Sequence, residues 1–89
     1  MVNYAQATKS FWDSTLSFVL TELETANAFA DIALKSDDAH RASRNRLNAR
    51  KAYDTALQFM RLLPDDDLGR LADKLDPLKL KLVELGEDL

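Results

Sequence analysis

The chain has 89 residues, 46% of them apolar and 30% charged, with two glycines, two prolines and no cysteine. A sequence this short supports one core and leaves no room for a second domain, and so few breakers exclude a hairpin-rich β fold or a flexible linker. The lack of cysteine removes disulfide scaffolds, thiolate metal sites and cysteine nucleophiles, and a net charge of −3 is too mild for a polyanionic tail or a dedicated nucleic-acid binder.

Met1–Gln6 carries no basic start ahead of an apolar run, and the stretch from Leu16 to Leu23 is broken by Ser17, Thr21 and Glu22. Neither a signal peptide nor a membrane span is expected, and the cytoplasm is the expected compartment. From Tyr4 to Lys35 there is no glycine or proline, and Trp12, Leu16, Val19, Leu23, Ala26, Ala30 and Ala33 recur in heptad steps. This spacing predicts a first helix over about residues 4–35. A second apolar line, Phe11, Phe18, Phe29 and Ile32, projects about 100° away around the same helix, so two neighbours are expected against it.

Ser36-Asp37-Asp38 offers N-cap oxygens for a second helix over about 38–63, ended by Pro64. Its stripe is Ala42, Arg46, Ala49, Tyr53, Ala56, Met60 and Leu63, and a connection this short permits only an antiparallel hairpin. Folding the stripes together sets Ala33 by Ala42, Ala26 by Ala49, Val19 by Ala56 and Trp12 by Leu63. The helices should therefore approach closely at the turn and splay around large residues at the far end. Pro64-Asp65-Asp66-Asp67 reads as the start of a third helix over about 65–86, with carboxylates where the dipole favours them and Gly86 as its C-terminal cap. Its stripe is Leu68, Leu71, Leu75, Leu78, Leu82 and Leu85; the leucines hold phase across Pro77, which favours one kinked helix, with Asp76-Pro77 as the N-cap and first turn of a separate helix the alternative. The expected fold is all-α, an antiparallel three-helix bundle in a single domain.

The densest chemical feature runs from His40 to Lys51, where Arg41, Arg44, Arg46, Arg50 and Lys51 supply five positive charges and no acid intervenes. Arg44 and Lys51 project outward while Arg41, Arg46 and Arg50 fan to both flanks, a wider spread than a helix tracking a phosphate backbone would use. Glu22, Glu24, Asp31, Asp37 and Asp38 are the expected ion-pair partners across the hairpin. Arg46 falls on the inward stripe opposite Ala30. There it either covers the alanine seam with its stem or clamps a carboxylate or phosphate beside Asn45 and Asn48.

No metal, cofactor or catalytic residue is expected. His40 is the only histidine and sits among arginines, and the acidic run at 65–67 lacks the spaced ligands and final glutamate of a calcium loop. The serines have no base other than His40, and Gly69 and Gly86 alone cannot form a phosphate loop. Trp12, Phe11, Phe18, Phe29, Tyr53 and Phe59 lie on or beside the stripes and are expected in the core. Leu47 and Leu80 fall on charged arcs and are the expected exposed remainder.

The segment Asn48–Leu57 resembles the second helix of a tetratricopeptide hairpin, matched at Ala49, Tyr53 and Ala56. The first-helix pattern of that family has no counterpart at the required spacing. In outline the three helices are similar to microtubule-interacting-and-transport domains. Both resemblances imply a peptide- or protein-binding helical module. The expected function is thus a non-enzymatic protein-interaction or scaffold module taking an amphipathic helix or acidic peptide beside Arg44, Arg50 and Lys51. A nucleic-acid accessory protein using the same cations ranks second. A homodimer burying the third helix's leucines ranks third.

Overall fold

In the computed structural model, which describes the backbone of residues 4–89 and the side chains from residue 9 onward, the chain forms three α-helices: α1 (Tyr4–Lys35), α2 (Ala39–Met60) and α3 (Asp65–Glu84). They make an all-α, up-down-up three-helix bundle, long and thin at 56 × 22 × 16 Å. The reading of Met1–Gln6 as free of a targeting run concerns side chains outside the described residues. No helix is long and apolar enough to cross a membrane among the described residues.

The hairpin turn follows from its polar side chains. Asp38 takes an extended backbone and its carboxylate accepts the amide hydrogens of His40 and Arg41 at 2.8 and 3.1 Å, covering two of the donors a helix start leaves unpaired. Those same bonds, reinforced by the Arg41 and Arg44 charges, hold the Asp38 carboxyl below its ordinary pKa. From this turn α1 and α2 run together along most of the length of α2. Ala26, Ala30, Ala49 and Ala56 are fully buried between them, so the close small-on-small seam expected near the turn is present.

α2 ends at Met60, earlier than the spacing suggests. The Leu62 and Leu63 amides bond back to the Phe59 and Met60 carbonyls in a tightened last turn, and Pro64 then turns extended, as proline requires once no helical donor is available. α3 starts directly after, with Asp65, Asp66 and Asp67 in its first turn and no side-chain bond at the cap. It runs unbroken through Pro77 to Glu84. Its stripe supplies most of the large core residues: Leu71, Leu78 and Leu82 are fully buried together with Val19 and Leu23, each worth about 1.5–3 kcal/mol.

α3 rests mainly on α1 and touches α2 little. Lys81 fixes it there, donating to the Asn27 amide oxygen at 2.7 Å and pairing with Asp31 at 2.8 Å. This placement corrects the expectation for the second apolar line of α1. α3 covers the flank carrying Leu23 and Asn27, and the line through Phe11, Phe18 and Ile32 stays exposed on the other side. The large residues at the open end are corrected with it. Leu63 is buried, but α1 extends beyond the end of α2, and Trp12 is left 39% exposed rather than packed in the core.

Candidate functional site

All five cations singled out in the sequence lie on α2, and the structure divides them into two groups. Arg41, Arg44 and Lys51 are exposed and make no ion pair among the described residues. Arg46 and Arg50 are half-buried and converge on one carboxylate, that of Glu87. The Arg46 Nε–H donates to Glu87 Oε2, and the Arg50 Nη1–H reaches Glu87 Oε1 at 3.4 Å. Backbone oxygens complete the grip, with Gly86 accepting from Arg46 Nη2 at 3.0 Å and Asp88 accepting from Arg50 Nη1 at 2.9 Å.

The C-terminal end of α3 explains how Glu87 arrives there. Gly86 has φ +93°, the left-handed conformation that glycine adopts without penalty. Its amide bonds to the Val83 carbonyl and the Glu87 amide bonds to the Leu82 carbonyl, each at 2.9 Å, which is a Schellman termination. The chain is thereby turned back off the end of α3 toward α2, where the guanidinium groups wait. Arg50 is itself oriented from its own helix. Its Nε–H donates to Asp54 one turn on at 2.9 Å, its guanidinium lies 5.9 Å from the centre of the Tyr53 ring, and the Asp54 carboxylate raises its pKa above the ordinary value. Tyr53 is buried beneath, and burial pushes its phenol pKa up.

Two expectations about this region change. The acids that neutralise the cluster are Glu87 and Asp54, whereas Asp38 is spent on the cap and Asp31 on Lys81. The carboxylate that Arg46 holds is the chain's own, that of Glu87, and Asn45 takes no part, since its amide donates to the Arg41 carbonyl of its own helix at 2.8 Å. The signal that could have located the clamp is a glycine cap followed at once by Glu87-Asp88, because a Schellman turn reverses the chain by a fixed geometry. On its outer side a small cleft of about 200 Å³ lies between Ser43, Arg46, Leu47 and Glu87. Leu47 is 56% exposed beside Arg44 and Lys51, as its position on a charged arc suggested.

A second surface was misread from the sequence. Of the aromatics expected in the core only Tyr53 is buried and Phe29 is half-buried, while Phe11, Phe18 and Phe59 are 54%, 40% and 37% exposed. Phe18 and Phe59 meet edge to face with centroids 4.8 Å apart and, with Phe11, Ser14 and Thr15, line a nearly all-apolar cleft of about 240 Å³. Leu47 and Leu80 are therefore not the sole exposed remainder. Nor is the leucine stripe of α3 available for a homodimer, because Leu71, Leu75, Leu78 and Leu82 are buried in this chain's own core.

Among the described residues no group of three or more His, Cys, Asp and Glu side chains gathers as a metal ion would need. Compared with known proteins, the chain matches no family model, no curated protein and no solved structure.

Proposed function

We propose that this chain is a non-enzymatic protein-interaction module of the cytoplasm that takes carboxylate-bearing segments of a partner on the basic face of α2. The observation that carries this reading is the Glu87 side chain, which Arg46 and Arg50 hold between them with only 15% of it exposed. It is an example, supplied by the chain itself, of the ligand chemistry these guanidinium groups accept: a carboxylate flanked by backbone carbonyls. Arg41, Arg44 and Lys51 extend the positive surface outward, and exposed Leu47 among them favours a peptide in which acidic residues alternate with apolar ones. The resemblance to tetratricopeptide and microtubule-interacting-and-transport modules points the same way, since both bind peptides.

The test is fluorescence anisotropy with a labelled acidic peptide containing leucines, set beside a single-stranded oligonucleotide of equal charge. At about 50 mM salt the peptide should bind, weaken as salt rises, and lose at least about tenfold in affinity in the Arg44→Glu/Lys51→Glu variant. Both substitutions are at exposed positions, so the far-ultraviolet circular dichroism should not change. No peptide binding at low salt would reject the proposal. Tighter binding of the oligonucleotide would replace it with the nucleic-acid reading.

A further inference from the structure

We infer that Arg46 and Arg50 form a directional receptor for a glycine-glutamate segment, and that this chain's own residues 86–88 fill it until such a segment of a partner takes their place. The inference rests on the proposed recognition of carboxylates by α2 and adds to it the sequence of the ligand, its direction and the regulation of the site.

The two guanidinium groups take three consecutive residues in order. Arg46 holds the Gly86 carbonyl and the Glu87 carboxylate; Arg50, one turn further along α2, holds the same carboxylate and the Asp88 carbonyl. The segment therefore runs in the direction of α2, and a carboxylate alone would use only two of these four bonds. The residue ahead of the glutamate is constrained as well. Gly86 has φ +93°, and a Cβ there would meet three atoms of the Arg46 guanidinium at 3.4–3.6 Å. A β-branched residue is a poor substitute, because it resists the left-handed backbone and crowds the guanidinium.

The hold on the segment is polar and exchangeable. Asp88 is exposed and Leu89 is 49% exposed, so no apolar side chain after Leu85 is buried in the core. The Arg46 and Arg50 side chains are themselves 42% and 29% exposed, and water can replace the carboxylate without stranding a buried charge. Half of the receptor persists when the segment leaves, because Arg50 is still held by Asp54 and lies by the Tyr53 ring. The rest of α3 stays in place on its buried leucines. The cleft beside Ser43 and Leu47 gives a longer partner segment room to continue.

The experiment titrates the full chain with the end-blocked peptide Leu-Gly-Glu-Asp-Leu, followed by anisotropy of the labelled peptide and by amide NMR of the protein. On saturation the Glu87 and Asp88 amide signals should become those of an unstructured segment. Glu87→Gln should bind the peptide about tenfold more tightly, the factor expected if the site stands free about a tenth of the time in the unaltered chain. Glu84→Gln makes the same change of charge at an exposed position of α3 and should leave the affinity alone. Valine in place of the peptide's glycine, or the reversed sequence Leu-Asp-Glu-Gly-Leu, should weaken binding to Glu87→Gln at least about tenfold at equal charge. Arg46→Lys keeps the cation but loses the planar fork, and should abolish the preference for glycine over valine. If the glycine, valine and reversed peptides bind alike, the directional receptor is overturned while recognition of acidic peptides stands. Equal affinity for the unaltered chain and Glu87→Gln likewise overturns occupation by the chain's own segment. Failure of every acidic peptide to bind any of these chains at low salt removes both the inference and the reading beneath it.

Discussion

Gly86 decides where the last four residues go. Its positive φ costs an L-residue about 1–2 kcal/mol, while the space around it is not closed, since an added Cβ would lie 3.4 Å from the nearest atom, on the flexible Arg46 guanidinium. The penalty for substitution is thus a backbone penalty, which fixes a rank order. Gly86→Ala should destabilise the protein by about 1 kcal/mol and Gly86→Asn by less, because asparagine tolerates this region better. Urea midpoints of the three proteins check this, and equal midpoints would show that the turn is not held in the left-handed conformation. Residue-level features of this type were partly legible in the sequence. The Asp38 cap and the Gly86 cap follow from local chemistry, but Glu87 could be paired with Arg46 only once two helices were placed, because forty-one positions separate them.

At the scale of elements, the three stripes identify the helices because heptad-spaced apolar residues have no other economical use in a chain this small. The leucines of α3 behave as their phase demands. The aromatics on α1 do not, for a geometric reason. Once α2 lies on the alanine seam, α1 has a flank on each side of it, and one remaining helix can cover only one of them. Periodicity shows that both flanks are apolar; it carries no information about which one α3 takes. In this structure α3 lies on the flank where Lys81 meets Asn27 and Asp31. Pro77 tests how much of α3 is imposed by packing. A helix-interior proline is about 3 kcal/mol worse than alanine and forgoes the bond to the carbonyl four residues back. The bundle accepts this because Leu75 and Leu78 on either side are buried, and because Pro77 and Asp73 themselves face solvent. Pro77→Ala should therefore stabilise the protein by about 2 kcal/mol, after allowing for the greater freedom it restores to the unfolded chain. A raised denaturation midpoint at unchanged slope is the expected result, and no gain would indicate that the proline conformation is used elsewhere.

For the whole molecule, the uneven contact among the helices matters most. α1 carries both neighbours, while α3 is joined to α2 by little beyond the C-terminal segment held on Arg46 and Arg50. In a bundle so long and thin, an end held by a few polar bonds opens more easily than a seam of buried alanines and leucines. Replacing Glu87 with glutamine keeps the size of the side chain but removes the charge that two guanidinium groups share. Glu87→Gln should then speed amide hydrogen exchange in the last turn of α3, from Lys81 to Gly86, and leave the buried middle of α1 and α2 at its original rate. The same variant should bind the acidic peptide more tightly, because the internal competitor for Arg46 and Arg50 has lost its charge. The two readouts separate structure from recognition. Faster exchange with unchanged peptide affinity would make the grip on Glu87 purely an anchor for the C-terminal segment, and unchanged exchange would mean that α3 is held by its leucines alone.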